Sequence, residues 1–191
     1  MPSGIRRATV KGLISLELFK SINTLCSVFI ENNGRTPSTL ADAIKLTDKR
    51  KDLEQNLTKI LQGPSRIVSE ECCALAILIY KHITLGAMPS TTTLIIGLSR
   101  DLKHTLEQTD LSLYWSGEVN LLLWVLFIGY VSSHMQAEKS WFASLIRGLV
   151  LNTNYRVEVD GLKKIFQDFL YSEAHFGSLY VELWTWLVKN S

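Results

Sequence analysis

The chain has 191 residues, 47% hydrophobic and only 20% charged, which excludes a highly charged chain that lacks a core. Twenty Lys and Arg against eighteen Asp and Glu leave a formal charge of +2, too weak a field for a dedicated nucleic-acid binder. Cys26, Cys72 and Cys73 form neither a disulfide framework nor a CxxC pair, and read as buried thiols of a reducing compartment.

The N-terminus carries Arg6, Arg7 and Lys11 and no secretory signal, and reads as a solvated arm. Apolar residues at Ile14, Leu18, Ile22, Leu25, Cys26 and Phe29 then recur at helical spacing until Asn32-Asn33-Gly34. Thr36-Pro37 predicts the start of a short helix through Leu46, and Asp48 a cap for the next one, which ends at Gly63-Pro64. Ser69 reads as the N-cap of a helix with Glu70 and Glu71 in its first turn and an almost wholly apolar body from Cys72 to Ile79. Pro89-Ser90 opens another, with Leu94, Leu98, Leu102 and Leu106 at four-residue steps, and 110–117 reads as a connection.

The most apolar segment is 118–134. Its uninterrupted run from Leu121 to Val131 is too short for a membrane span, which needs about 18–20 residues, and predicts a central core helix. After a polar break at Ser132-Ser133-His134 comes a helix with Trp141, Phe142, Leu145, Ile146, Leu149 and Val150. Beyond Asn152-Thr153-Asn154, the residues Val159, Leu162, Ile165, Phe166, Phe169 and Leu170 fit the i, i+3, i+4 template, and a last helix holds Leu179, Leu183, Trp184 and Leu187. The expected fold is all-α, about eight to nine helices around 118–134, with 1–64 forming amphipathic helices that share the same core or sit beside it, and 65–191 the main helical domain.

No nucleophile elbow, HExxH or Gly-rich phosphate loop is present, and no histidine has a second ligand at metal spacing, so neither an enzyme, a metal site nor a cofactor is expected. His134 with Glu138, and His104 with Glu107 and Asp101, read as surface pairs. Lys45, Lys49, Arg50 and Lys51 are interleaved with acids and read as a solvated face. Arg6-Arg7-Ala8-Thr9 loosely fits the target pattern of an arginine-directed kinase, a pattern short enough to recur by chance. The aromatic set Trp115, Trp124, Phe127, Trp141, Phe142, Phe166, Phe169 and Trp184 admits two readings, a packed core or the lining of a pocket for an apolar ligand. Trp186, two residues from Trp184 and so on another helix face, is the candidate partner contact.

Trp115, the run Leu121-Leu122-Leu123-Trp124-Val125-Leu126-Phe127-Ile128-Gly129, Trp141-Phe142 with Leu145, Phe169-Leu170-Tyr171 and Leu183-Trp184 follow one another in an order and spacing that resemble the C-terminal part of the fungal-specific transcription factor domain. That domain is the helical regulatory region of fungal zinc binuclear cluster regulators. Glu71 to Tyr80 and Met88-Pro89 are similar to the stretch that precedes it, so the resemblance covers Ser69 to Lys189. It implies a nuclear, or alternatively cytoplasmic, regulator-type interaction domain that binds a protein partner or a second copy of itself. Three misplaced cysteines cannot build the six-cysteine zinc cluster through which such regulators read DNA, so direct nucleic-acid binding is not expected. The second expectation is a helical sensor of an apolar small molecule. No membrane association is expected from either.

Overall fold

The computed structural model describes residues 2–34, 39–63, 67–86, 89, 91–115, 117–133, 135–152 and 159–190. Among these, the secondary structure is entirely helical: α1 (Ser3–Val10), α2 (Leu16–Gly34), α3 (Leu40–Gln62), α4 (Val68–Thr84), α5 (Thr93–Glu107), α6 (Leu111–Tyr114), α7 (Val119–Ser132), α8 (Gln136–Asn152), α9 (Val159–Gln167) and α10 (Glu173–Lys189). Apart from Val28 and Ile95, the buried apolar residues form one cluster that runs from Ile5 to Leu187. None of the described helices is long and apolar enough to cross a membrane. The expected helix starts at Thr36-Pro37 and Ser90, and the polar breaks at His134 and Thr153-Asn154, lie outside the described residues.

Two helices make the centre. Every residue of α7 from Leu121 to Ser132 is buried, and so is α4 from Cys72 to His82. A helix apolar on all faces gains only if neighbours cover every face. α4 and α7 pack on each other; α5 touches both; α2 and α3 lie against α4; α1, α8 and α9 lie against α7. α10 closes the far side through Phe176, whose ring meets Tyr80 of α4 at 5.6 Å and Phe127 of α7 at 6.2 Å.

α8 packs tightly on α7 at Gly129. A Cβ on Gly129 would lie 2.2 Å from Cε1 of Phe142, so the ring occupies the space that any other residue at 129 would need. Phe142 itself is fully buried. The carbonyl of Gly129 then accepts from Ser132 and Ser133, at 3.0 and 2.7 Å, which satisfies the buried hydroxyls at the C-terminal end of α7. Ser133 also lies 3.3 Å from Ser99 Oγ of α5.

Four sequence expectations change. The N-terminal arm is not solvated: α1 is a helix with Ile5 and Ala8 buried, and Gly12, at φ 72°, turns the chain so that Leu13 N–H reaches the Ala8 carbonyl. The two helices expected either side of Asp48 are one, α3, because nothing around Asp48 interrupts the ladder; its N-cap is Thr39, whose side chain accepts from Asp42 N–H at 3.1 Å. Ser69 does not cap α4, which begins at Val68. Its buried hydroxyl instead donates to Leu13 O at 3.0 Å, while Glu70 accepts from Ser15 N–H, tying the α1–α2 connection to α4. Within 110–117 the chain forms the short helix α6, capped by Asp110, whose carboxylate accepts from the N–H groups of Ser112 and Leu113.

Candidate functional site

The aromatic residues converge as stacked rings. Phe127 lies on Phe166 with centroids 4.2 Å apart and planes 12° from parallel, a separation that leaves no room for a ligand between them. Around this pair stand Tyr171, Phe176 and Tyr180, each within 6.4 Å of Phe127. Trp124 stacks on Phe169 at 6.0 Å, and its indole N–H donates to Leu170 O at 2.7 Å, fixing the turn between α9 and α10. Trp141 meets Phe142 edge-on at 4.9 Å and is only half-buried, with Lys103 Nζ 5.5 Å from its ring centre. Trp115 is buried, and its indole N–H has no acceptor among the described residues.

Trp184 and Trp186 are both half-buried and packed against the core cluster. Their placement follows from α10, whose inward stripe is Phe176, Tyr180, Leu183 and Leu187. At 100° per residue the two indoles fall on opposite flanks of that stripe. The opposite side of the helix carries the uncharged, exposed Ala174, Ser178, Val181, Thr185 and Val188, flanked by the exposed Glu182, paired with Lys139, and Lys189. The uncharged residues follow one another at alternating steps of four and three residues, the spacing of a helix–helix seam. The sequence contains this signal, but the inward stripe and the tryptophans mask it.

Among the described residues, ion pairs with a buried member form at two places. Lys81 and His82, buried on α4, meet Glu54 of α3: the Lys81 ammonium donates to the carboxylate, and His82 Nε2 lies 4.0 Å from it. The hydrogen bond from Lys81 holds the Glu54 carboxyl below the usual carboxylate range. Burial, then the Lys81 charge, push the His82 imidazole pKa down, with Glu54 opposing. Beside Glu54 on α3 lies an open depression of about 450 Å³, lined by Lys51, Glu54, Gln55, Thr58 and Lys59. The second place is Glu118, at the N-cap of α7, buried and paired with Arg7 at 3.1 Å and Lys11 at 2.8 Å. Neither pairing is visible in the sequence, because the partners are far apart along the chain and only the fold joins them.

No three His, Cys, Asp or Glu side chains come together as metal ligands among the described residues. The cysteines are free, and burial raises all three thiol pKa values, that of Cys72 to about 12, so none is poised as a nucleophile. Of the paired histidines, His104 lies 2.9 Å from Gln108, Glu138 pairs with Arg100, and His134 is outside the described residues. In the charged segment of α3, Lys49 pairs with Glu31 at 2.5 Å. No family model, curated protein or solved structure matches the chain.

Proposed function

We propose that the chain is a regulator-type helical interaction domain that works by protein–protein contact and has no DNA-reading element of its own. The observation that carries this reading is the outer face of α10, a 17-residue helix. Val181 and Val188 there are 62% and 58% exposed, and the seam formed with Ala174, Ser178 and Thr185 carries no charge. A surface helix that serves only to cover a core normally turns charged or polar residues outward. Beside Glu182 and Lys189, this one turns outward Val181, Thr185 and Val188, β-branched residues that pack well between helices. The order of Trp115, the run ending at Gly129, Trp141-Phe142 and Phe169-Leu170-Tyr171 adds the regulator-like role and a nuclear location. The stacked rings favour a core over a ligand chamber at Phe127 and Phe166.

An uncharged seam is self-complementary, so a second copy of the chain is the first partner to test. Sedimentation velocity over a micromolar concentration series is expected to show association that Val181→Glu with Val188→Glu abolishes, at unchanged helical content. A chain that stays monomeric throughout, or that binds DNA sequence-specifically by itself, overturns the reading.

A further inference from the structure

α1 is held by contacts that its own length does not supply. Eight residues fall below the roughly 12–15 at which an isolated helix becomes marginally stable in water, so docking keeps it helical. The docking is specific. Gly4 N–H donates to Asp168 O at 2.8 Å, and a Cβ at this position would lie 2.7 Å from that oxygen and from the Phe169 ring. Ser3 Oγ donates to the Asp168 carboxylate at 3.0 Å. At the other end, Arg7 and Lys11 hold the buried Glu118 carboxylate, and Lys11 also donates to Gly117 O at 2.7 Å.

Thr9 is the penultimate residue of this helix, two and three positions after Arg7 and Arg6. It is half-buried, and its hydroxyl donates back to Ile5 O at 3.0 Å. Arg6 is exposed, and the Arg7 side chain is 41% exposed. We propose that Thr9 is a phosphorylation site for an arginine-directed Ser/Thr kinase, and that its modification releases α1 from the N-terminus of α7. In the transfer, Thr9 Oγ1 bonds to the γ-phosphorus of ATP as the bond to the bridging oxygen breaks; ADP leaves, and the hydroxyl proton passes to the kinase's base.

Two effects then act against docking, both in the same direction. The hydroxyl no longer donates to Ile5 O. The phosphate brings a charge of about −1.5 to −2 to the last turn of a helix, where the dipole already presents its negative end. Undocking carries Arg7 and Lys11 away from Glu118 and leaves it a buried lone charge, which the chain relieves by opening the start of α7 to water. Release uncovers the apolar surface now under Ile5 and Ala8, so one modification changes what the molecule exposes to a partner.

The test uses the full chain with Mg-ATP and the catalytic subunit of a kinase of Arg-Arg-x-Ser/Thr specificity, with phosphate mapped by peptide mass spectrometry. The expected result is one phosphate on Thr9, none there in Thr9→Val, and at least about tenfold slower incorporation in Arg6→Ala. Hydrogen exchange at the amides of Gly4, Leu13, Leu121 and Leu122 is expected to accelerate at least about tenfold on phosphorylation and to remain slow in Thr9→Val. A parallel Glu118→Gln chain, in which α1 is loosened without a phosphate, is expected to take phosphate faster than the wild type. Failure of Thr9 to accept phosphate even in Glu118→Gln overturns the site. Phosphate on Thr9 with unchanged exchange at these four amides overturns the release.

Discussion

α7 and α3 are both continuous helices, yet they are helical for different reasons. α7 has 14 residues, among them Trp124, Val125, Phe127, Ile128, Gly129 and Val131, whose intrinsic helix propensity is modest. α3 has 23 residues, rich in the helix formers Leu and Lys, with a side-chain cap at Thr39, and buries only Leu53 and Leu57 among its side chains. The first is made helical by what surrounds it, the second by its own chain. A substitution in α7 is therefore felt by the whole molecule, whereas one in the outer turns of α3 is felt by that helix alone.

The largest effect is expected where α7 makes most of its aromatic contacts. Phe127→Ala removes the ring stacked on Phe166 and is expected to cost about 3–5 kcal/mol, read as a fall in the urea midpoint. A loss below about 1 kcal/mol would mean that the rings around it are loosely packed and that a ligand chamber deserves to be reconsidered. Next comes Gly129→Ala, which forces the Phe142 ring aside and is expected to cost about 1–3 kcal/mol. Combining it with Phe142→Leu should recover part of that loss in a double-mutant cycle, and strict additivity would show that the two do not meet. In α3, Thr39→Ala removes the cap and should cost about 1 kcal/mol, with faster amide exchange confined to the first turns of that helix.

A smaller, pH-dependent effect comes from the contact between the two kinds of helix. His82 titrates below its ordinary value in the folded chain, so the unfolded chain takes up the proton first as the pH falls. Stability is therefore full above about pH 6.5 and declines below it until the folded imidazole is itself protonated. His82→Gln should flatten this slope between pH 7.5 and 5, leaving the loss at lower pH as the carboxyls held low in the folded chain, Glu54, Asp110 and Glu173, are protonated. The smallest effect is expected from Ile44→Ser, on an exposed turn of α3, within about 0.5 kcal/mol by urea unfolding.

The legibility of the fold follows the same division. The all-helical class, the helix over 118–134 and the start of the i, i+3, i+4 stripe at Val159 could be read because periodicity and apolar content are local properties, but the stripe read through to Leu170 outruns α9, which ends at Gln167 and leaves Phe169 and Leu170 in the turn that follows. The cap expected at Asp48 was misplaced because a run of charges resembles a boundary when its solvent-facing position is unknown. Of the candidate site, the aromatic residues were identifiable, while the choice between core and chamber rested on ring distances such as that of Phe127 to Phe166. The α10 seam lay in plain view as a spacing, but it acquires meaning only once Phe176, Tyr180, Leu183 and Leu187 are known to face inward.

Composition and periodicity, then, determined by themselves that the chain would be a bundle of helices with an apolar centre near Gly129. Tertiary structure decided the rest: that Arg7 and Lys11 neutralise Glu118, that Ser69 tethers Leu13 instead of capping α4, and that the Gly129 backbone makes room for a ring from α8. The reason is range. Helical periodicity is written within a few residues, whereas charge neutralisation and close packing join groups that meet only after the chain has folded, and no local pattern records which will meet.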